Sequence, residues 1–158
     1  MQRTVGISDI YVSQDPEDVI VTYSLGSCVG VTMYDPRAKV GGLVHCMLPL
    51  SKDNPDKASA NPAMFVDTGV SLLLQKVYDL GARRENLEVK VAGGASPLKD
   101  VTVFQIGQRN YTVLRKLLWK NNILIANEEV GGAVPRTMYL YMKDGRTEIG
   151  SGGKTHVL

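Results

Sequence analysis

The sequence predicts an α+β fold, in which short strands form the core and a few helices pack on them, not a doubly wound parallel sheet. Three observations predict it. Segments rich in β-branched and apolar residues outnumber those with helical periodicity. The helical segments do not alternate regularly with the strand segments. Turn chemistry also separates neighbouring strand segments, at Asp35-Pro36 and at Asp144-Gly145.

The elements follow in order. Asp18–Tyr23 (DVIVTY), Cys28–Tyr34 (CVGVTMY) and Gly42–Leu48 (GLVHCML) read as strands, with DPRAK turning between the last two. Asn61 is an N-cap type, and Pro62 suits a first helical position, where its missing N–H costs nothing. Val66, Val70, Leu73, Val77 and Leu80 then line one helical face, and Gly81 supplies a left-handed stop. That stripe is read as core packing, because amphipathic helices mostly bury their apolar face. Leu87–Ala92 alternates as a strand, and Val101–Ile106 is expected to be another. A second helix is expected from about Asn110, with Tyr111, Leu114, Leu117 and Leu118 on one face. Ile123–Ala126 follows as a strand, and Thr137–Met142 with Thr147–Ile149 forms a hairpin. The pattern GGAxP occurs twice, at 93–97 and 131–135, and is read as glycine turn usage rather than as two related halves.

Composition narrows the function classes. A chain of 158 residues is the size of one domain, so 1–158 is expected to fold as a single unit with its own core. Hydrophobic residues make up 44% and charged residues 22%, with a net charge of only +2 spread along the chain. That argues against a basic stripe for nucleic acid. Arg83-Arg84 reads as a solvated pair in a turn. No apolar run approaches the roughly 20 residues that span a bilayer. MQRTVGISDIYVSQD carries no apolar stretch of the signal-peptide kind. Two cysteines without an export signal are expected to be free thiols in a reducing cytoplasm, with a Cys28–Cys46 redox pair as the lesser alternative.

The chemistry concentrates in one stretch. SLGSCVGVTMYDPRAKVGGLVHCMLP, residues 24–49, holds both cysteines, Cys28 and Cys46, and one of the two histidines, His45. A cysteine nucleophile needs a base to form thiolate and donors to hold the oxyanion that follows attack. Gly26 allows a sharp turn before Cys28, and the N–H groups of Ser27 and Cys28 are the candidate oxyanion donors. His45 is the candidate base, since His156 lies near the end of the sequence, where fraying is expected. Strand register decides whether thiol and imidazole meet. One parity puts Cys28 and His45 on the same face, and the other aligns Cys28 with Cys46. Cys46 points away from its neighbour His45 and reads as structural. Cys28, His45, Cys46 and His156 make a poor zinc set, because adjacent strand residues diverge and no Cys-x-x-Cys is present. An inert buried thiol and an ordinary strand histidine would show the same residue types at the same spacing.

LGSCV, GGLVHCMLP, FVDTGVSLLL at 65–74, AGGA at 92–95 and IGQRN at 106–110 together resemble the CheD chemoreceptor glutamine deamidases. The resemblance spans nearly the whole chain. It implies a cytoplasmic enzyme of bacterial or archaeal chemotaxis that hydrolyses selected receptor glutamines to glutamates. It places the catalytic cysteine at Cys28, the histidine at His45 and a third catalytic residue at Thr22. It implies a β-sandwich core of mixed sheets flanked by helices, similar to the cytotoxic necrotizing factor catalytic domain. No metal or organic cofactor is implied, nor direct insertion in a membrane. Methyl-accepting receptors are the implied substrate and the CheC phosphatase an implied partner. A substrate on a coiled coil would call for apolar surface near Cys28, for which Met47 and Phe65 are candidates. Three rivals remain: an adaptor that binds receptors and CheC with Cys28 incidental, a thiol esterase acting on receptor glutamyl methyl esters, and, third, a zinc-binding module.

Overall fold

The computed structural model describes residues 1–96 and 105–158. In chain order the strands are β1 (Gln2–Thr4), β2 (Asp9–Ser13), β3 (Val19–Leu25), β4 (Val29–Asp35), β5 (Val40–Cys46), β6 (Glu88–Gly93), β7 (Ile125–Val130), β8 (Arg136–Tyr141), β9 (Arg146–Ser151) and β10 (Lys154–Val157). The helices are α1 (Pro55–Ala60), α2 (Val66–Asp79) and α3 (Ile106–Lys120). The strands form two five-stranded sheets, ordered β1-β3-β8-β9-β10 and β2-β5-β4-β6-β7. Each is mixed, with one parallel pair, β1 with β3 and β6 with β7. This is the α+β architecture the sequence predicts.

Three layers result. Every residue of β4 and β5 is buried, because these strands are covered on both faces. On one face Val29, Val31, Met33 and Val44 pack against Val66, Val70, Leu73 and Val77 of α2 and Leu114 and Leu118 of α3. On the other face Tyr34, Leu43 and Ala92 meet Ile20, Leu25, Met138, Leu140 and Ile149 of the first sheet. Each such side chain contributes about 1.5–3 kcal/mol on burial, so the two apolar layers supply the main drive for the fold. Among the polar contacts that cross between the sheets is that of Thr32 with Thr147, whose hydroxyls are 2.9 Å apart.

Several expected boundaries shift for identifiable reasons. Asn61 does cap, accepting from the Ala63 N–H, but on a short 3-10 turn at Pro62–Met64. Phe65 is then extended and buried, and it bridges to Leu48 before α2 begins at Val66. Val66 N–H donates to Leu48 O at 2.8 Å, so the chain trades a helical turn for a bond to the segment just past β5. Gly81 ends α2 at φ +107°. α3 begins at Ile106, not Asn110, and the strand expected at Ile123–Ala126 runs instead over Ile125–Val130. Of the strand expected at Val101–Ile106, residues 101–104 lie outside the described residues, and Ile106 opens α3.

β1, β2, β10 and α1 have no counterpart in the sequence reading. β1 is the short polar run QRT, and β10 is exposed throughout, so neither carries an apolar pattern to read. Their partners create them: β1 pairs with Val19–Val21 and β10 with β9. The frayed end expected around His156 is thus a paired strand.

The two GGAxP segments end the neighbouring parallel strands β6 and β7. Gly93, Gly94, Gly131 and Gly132 all have positive φ. Gly131 N–H donates to Gly93 O at 3.0 Å and Ser96 N–H to Gly132 O at 2.9 Å, so the repeated motif builds two turns bonded to each other. Pro97 lies outside the described residues.

Candidate active site

Thr22 lies on β3 in one sheet and His45 on β5 in the other, and both are fully buried. The Thr22 Oγ1 is 2.7 Å from the Val5 carbonyl oxygen and 2.7 Å from the His45 Nδ1. A hydroxyl has one proton, and the carbonyl can only accept, so the hydroxyl donates to Val5 O. It therefore accepts from Nδ1–H. That assigns the imidazole proton to Nδ1 and leaves Nε2 with its lone pair free. Among the described residues this buried Nε2 has no hydrogen-bond partner. Burial lowers the His45 pKa to about 4, so the ring is neutral near pH 7.

The β4–β5 register pairs Gly30 with His45 and Val29 with Cys46. Cys28 is two residues from Gly30 and packs with the core between the sheets, on the His45 side. Cys46 faces the helices, where its Sγ packs against Gly69 of α2 and burial pushes the thiol well up. Both cysteines are free thiols. Burial raises the Cys28 pKa as well, with its own backbone N–H pulling partly the other way. Burial thus disfavours both the Cys28 thiolate and the His45 imidazolium.

Three bonds hold the turn before Cys28. Gly26 O accepts from Ala95 N–H at 2.8 Å, Ser27 O from Asn110 Nδ2 at 2.9 Å and Cys28 O from Gly94 N–H at 2.8 Å. In a trans peptide the N–H points opposite to the C=O. Pinning the Gly26 and Ser27 carbonyls toward β6 and α3 thus turns the Ser27 and Cys28 N–H groups away from them. Among the described residues, neither N–H donates to another residue.

The packing behind this turn is close. Gly93 has φ +104°, and a Cβ there would overlap the Cys28 carbonyl oxygen. A Cβ on Gly107 would stand 2.5 Å from Ala95 O, so the start of α3 rests directly on the glycine turn. AGGA and IGQRN are thus the bed on which LGSC lies. Sequence reasoning found those motifs without this role, and it missed Val5, whose carbonyl alone contributes. Nothing in a linear pattern marks a backbone acceptor.

The remaining candidates separate. Met47 is 41% exposed, whereas Phe65, at 1%, is core and offers no surface. His156 Nε2 is 2.6 Å from Glu129 Oε1, and Cys46 faces away, so Cys28, His45, Cys46 and His156 do not converge. Among the described residues no group of three His, Cys, Asp or Glu is placed to hold a metal. Nor is any helix there long and apolar enough to cross a membrane. A groove of about 670 Å³ between α3 and β7 contains none of Thr22, Cys28 and His45, so volume does not mark this site.

At the level of fold, the chain is similar to a Bacillus licheniformis hypothetical protein, YfiH, with a TM-score of 0.50 and 15% identity over 77% of this chain and 49% of that one. At the level of sequence, the family model described as CheD chemotactic sensory transduction matches residues 47–151. A Syntrophus aciditrophicus protein named probable chemoreceptor glutamine deamidase CheD 1 is 50% identical over 149 residues, covering 94% of this chain and 93% of its own. Proteins named probable chemoreceptor glutamine deamidase CheD from Solibacter usitatus and Pyrococcus abyssi are 47% and 42% identical, over 97% and 92% of this chain and 90% and 88% of theirs. The chain belongs to the CheD family. The match to the family model begins just past His45, so it is the relatives' near-full coverage that spans the Cys28–His45 segment.

Proposed function

We propose that this chain, acting as a single domain, hydrolyses glutamine side-chain amides of chemotaxis receptors to glutamates, with Cys28 as nucleophile, His45 as base and Thr22 as its orienting partner. The observation that carries this reading is the hydroxyl of Thr22, bonded at once to Val5 O and His45 Nδ1, which leaves an unprotonated Nε2 on the face that Cys28 shares. The relatives' names supply the substrate class.

The reaction follows from these groups. His45 Nε2 takes the Cys28 proton as sulfur attacks the glutamine Cδ, so thiolate forms only when substrate is in place. The Ser27 and Cys28 N–H groups stabilise the oxyanion, a role worth about 3–4 kcal/mol for a strong donor. Collapse breaks the C–N bond, and His45 Nε2–H protonates the departing ammonia. Water then attacks the thioester, giving its proton to His45. Collapse of the second tetrahedral intermediate releases the glutamate carboxyl, and sulfur recovers its proton. Thr22 is uncharged, so it fixes the ring without stabilising imidazolium as a carboxylate would. That predicts modest turnover. No step calls on a metal or organic cofactor.

The test is peptide mass spectrometry of a receptor cytoplasmic domain incubated with the protein and with its Cys28→Ala variant. Conversion of particular glutamines by the first alone supports the reading. Equal conversion by both would remove Cys28 as nucleophile. No conversion by either, with receptor binding kept, would favour an adaptor. Release of methanol from methylated receptors in place of ammonia would favour the esterase. CheC added to the same assay reports whether it acts as a partner.

A further inference from the structure

Asn110 lies in the second turn of α3 and is 0% exposed, and no step of the chemistry above uses it. Its Nδ2 donates to Ser27 O at 2.9 Å and to Met47 O at 3.1 Å. Two carbonyl partners fix the amide orientation, because the flipped form would set Oδ1 against both oxygens. Oδ1 has no partner among the described residues, so the hydrogen bonding of this side chain goes to those two carbonyls. One belongs to the turn that presents Cys28. The other follows the strand that carries His45.

We propose that Asn110 is a positioning residue that sets Cys28 against His45 and aims the Cys28 N–H. The Ser27 carbonyl and the Cys28 N–H belong to one peptide plane, so a donor that pins the carbonyl also fixes the direction of the N–H. The second bond, to Met47 O, ties that plane to the chain just past β5, adding a side-chain link to the β4–β5 ladder that pairs Val29 with Cys46 and Gly30 with His45. The Gly94 and Ala95 bonds hold the turn to β6 but make no such tie to β5. Asn110 would therefore act on the transition state through the oxyanion donor and the thiol position, not on substrate binding. The inference rests on the deamidase reading for its effect on rate, but not for its effect on the thiol.

The experiment compares wild type with Asn110→Leu, which keeps the approximate volume and removes both donors. Two readouts are taken on protein shown by thermal unfolding to be folded. The first is the pH profile of Cys28 alkylation by iodoacetamide, read by peptide mass spectrometry. The second is steady-state deamidation of the receptor domain. The expected result is a Cys28 profile displaced to higher pH, as the N–H beside the sulfur loses its fixed direction. With it, kcat should fall roughly 10²-fold while KM stays within about twofold. A folded variant with the wild-type alkylation profile overturns the proposal, whatever its activity. So does a loss of activity carried by KM alone. Should Asn110→Leu fail to fold, Asn110→Ala, which leaves room for water at both carbonyls, is read by the same outcomes. A displaced profile in a protein whose wild type deamidates nothing would sink the deamidase reading and leave the positioning role standing.

Discussion

The Thr22 hydroxyl stands 2.7 Å from the His45 Nδ1, and the two residues belong to different sheets. The candidate base is therefore oriented across the sandwich, and its geometry depends on how the sheets pack. The hydroxyl is anchored in turn by Val5 O at 2.7 Å. The Thr32–Thr147 contact ties the same two sheets at a second point.

Removing the Thr22 hydroxyl should uncouple orientation from fold. Thr22→Val keeps the shape and strands two buried groups, the Val5 carbonyl and the His45 Nδ1–H. We expect a stability loss of about 1–3 kcal/mol. The same change should lower kcat roughly 10–100-fold with little change in KM. Thr22→Ser should recover most of both. Urea unfolding and steady-state deamidation measure the two effects, and a fully active Thr22→Val would refute the orienting role.

Acid should weaken the fold through His45 before the carboxylates respond. Its pKa is about 4 in the fold, against 6.5 when unperturbed. As pH falls through that window the unfolded chain takes the proton first, so the contribution present above about pH 6.5 is lost progressively down to about pH 4, on the order of 3 kcal/mol in all. Asp18 and Asp35 act in a lower window. Burial acts to raise both carboxyls, but it is outweighed and both are held below the usual value: by the Ser13 hydrogen bond and the Arg3 charge on Asp18, and mainly by backbone N–H groups on Asp35. Their contributions are lost only below about pH 4. Urea midpoints at about pH 7, 5.5 and 4.5 should fall for wild type and flatten for His45→Gln. Activity should hold to about pH 5 and fall below it as Nε2 is protonated.

Gly93→Ala tests the bed beneath the nucleophile. The residue has φ +104°, and its new Cβ would overlap Cys28 O. We expect a cost of roughly 2 kcal/mol or more, and slower Cys28 alkylation even where the protein remains folded. A variant with unchanged melting temperature and alkylation rate would show that the turn relaxes freely.

The two thiols should behave as different residues. Cys46 is wholly buried against α2, so iodoacetamide should label only Cys28 in the native protein. Cys46→Ala should cost about 1 kcal/mol and leave deamidation intact. Cys46→Ser should cost more, about 1–3 kcal/mol, because a hydroxyl would be buried among Val and Leu side chains. Loss of activity in folded Cys46→Ala would overturn the structural assignment.

Local pattern made much of this molecule legible. The β-branched runs that became β3, β4, β5 and β6 are apolar because they are buried, and the stripe from Val66 to Val77 marks the face of α2 that covers them. The turn residues at Asp35 and Gly145 read correctly, because their chemistry is local. β1 and β10 were not legible: their residues are polar and exposed, and they become strands only when a partner edge accepts them. Asn61 shows the same limit, as its capping held locally while Phe65 left the helix to bond beside β5.

By itself, the sequence determined the fold class, the buried strands and the residue types for thiol chemistry, because burial and turn preference act within a few residues. Only the tertiary structure decided the register that puts Cys28 on the His45 face, the Thr22–His45 bond between sheets and the Asn110 link between turn and strand. Each joins positions distant in the chain. Their geometry depends on how strands align and sheets stack, and no local preference encodes that alignment.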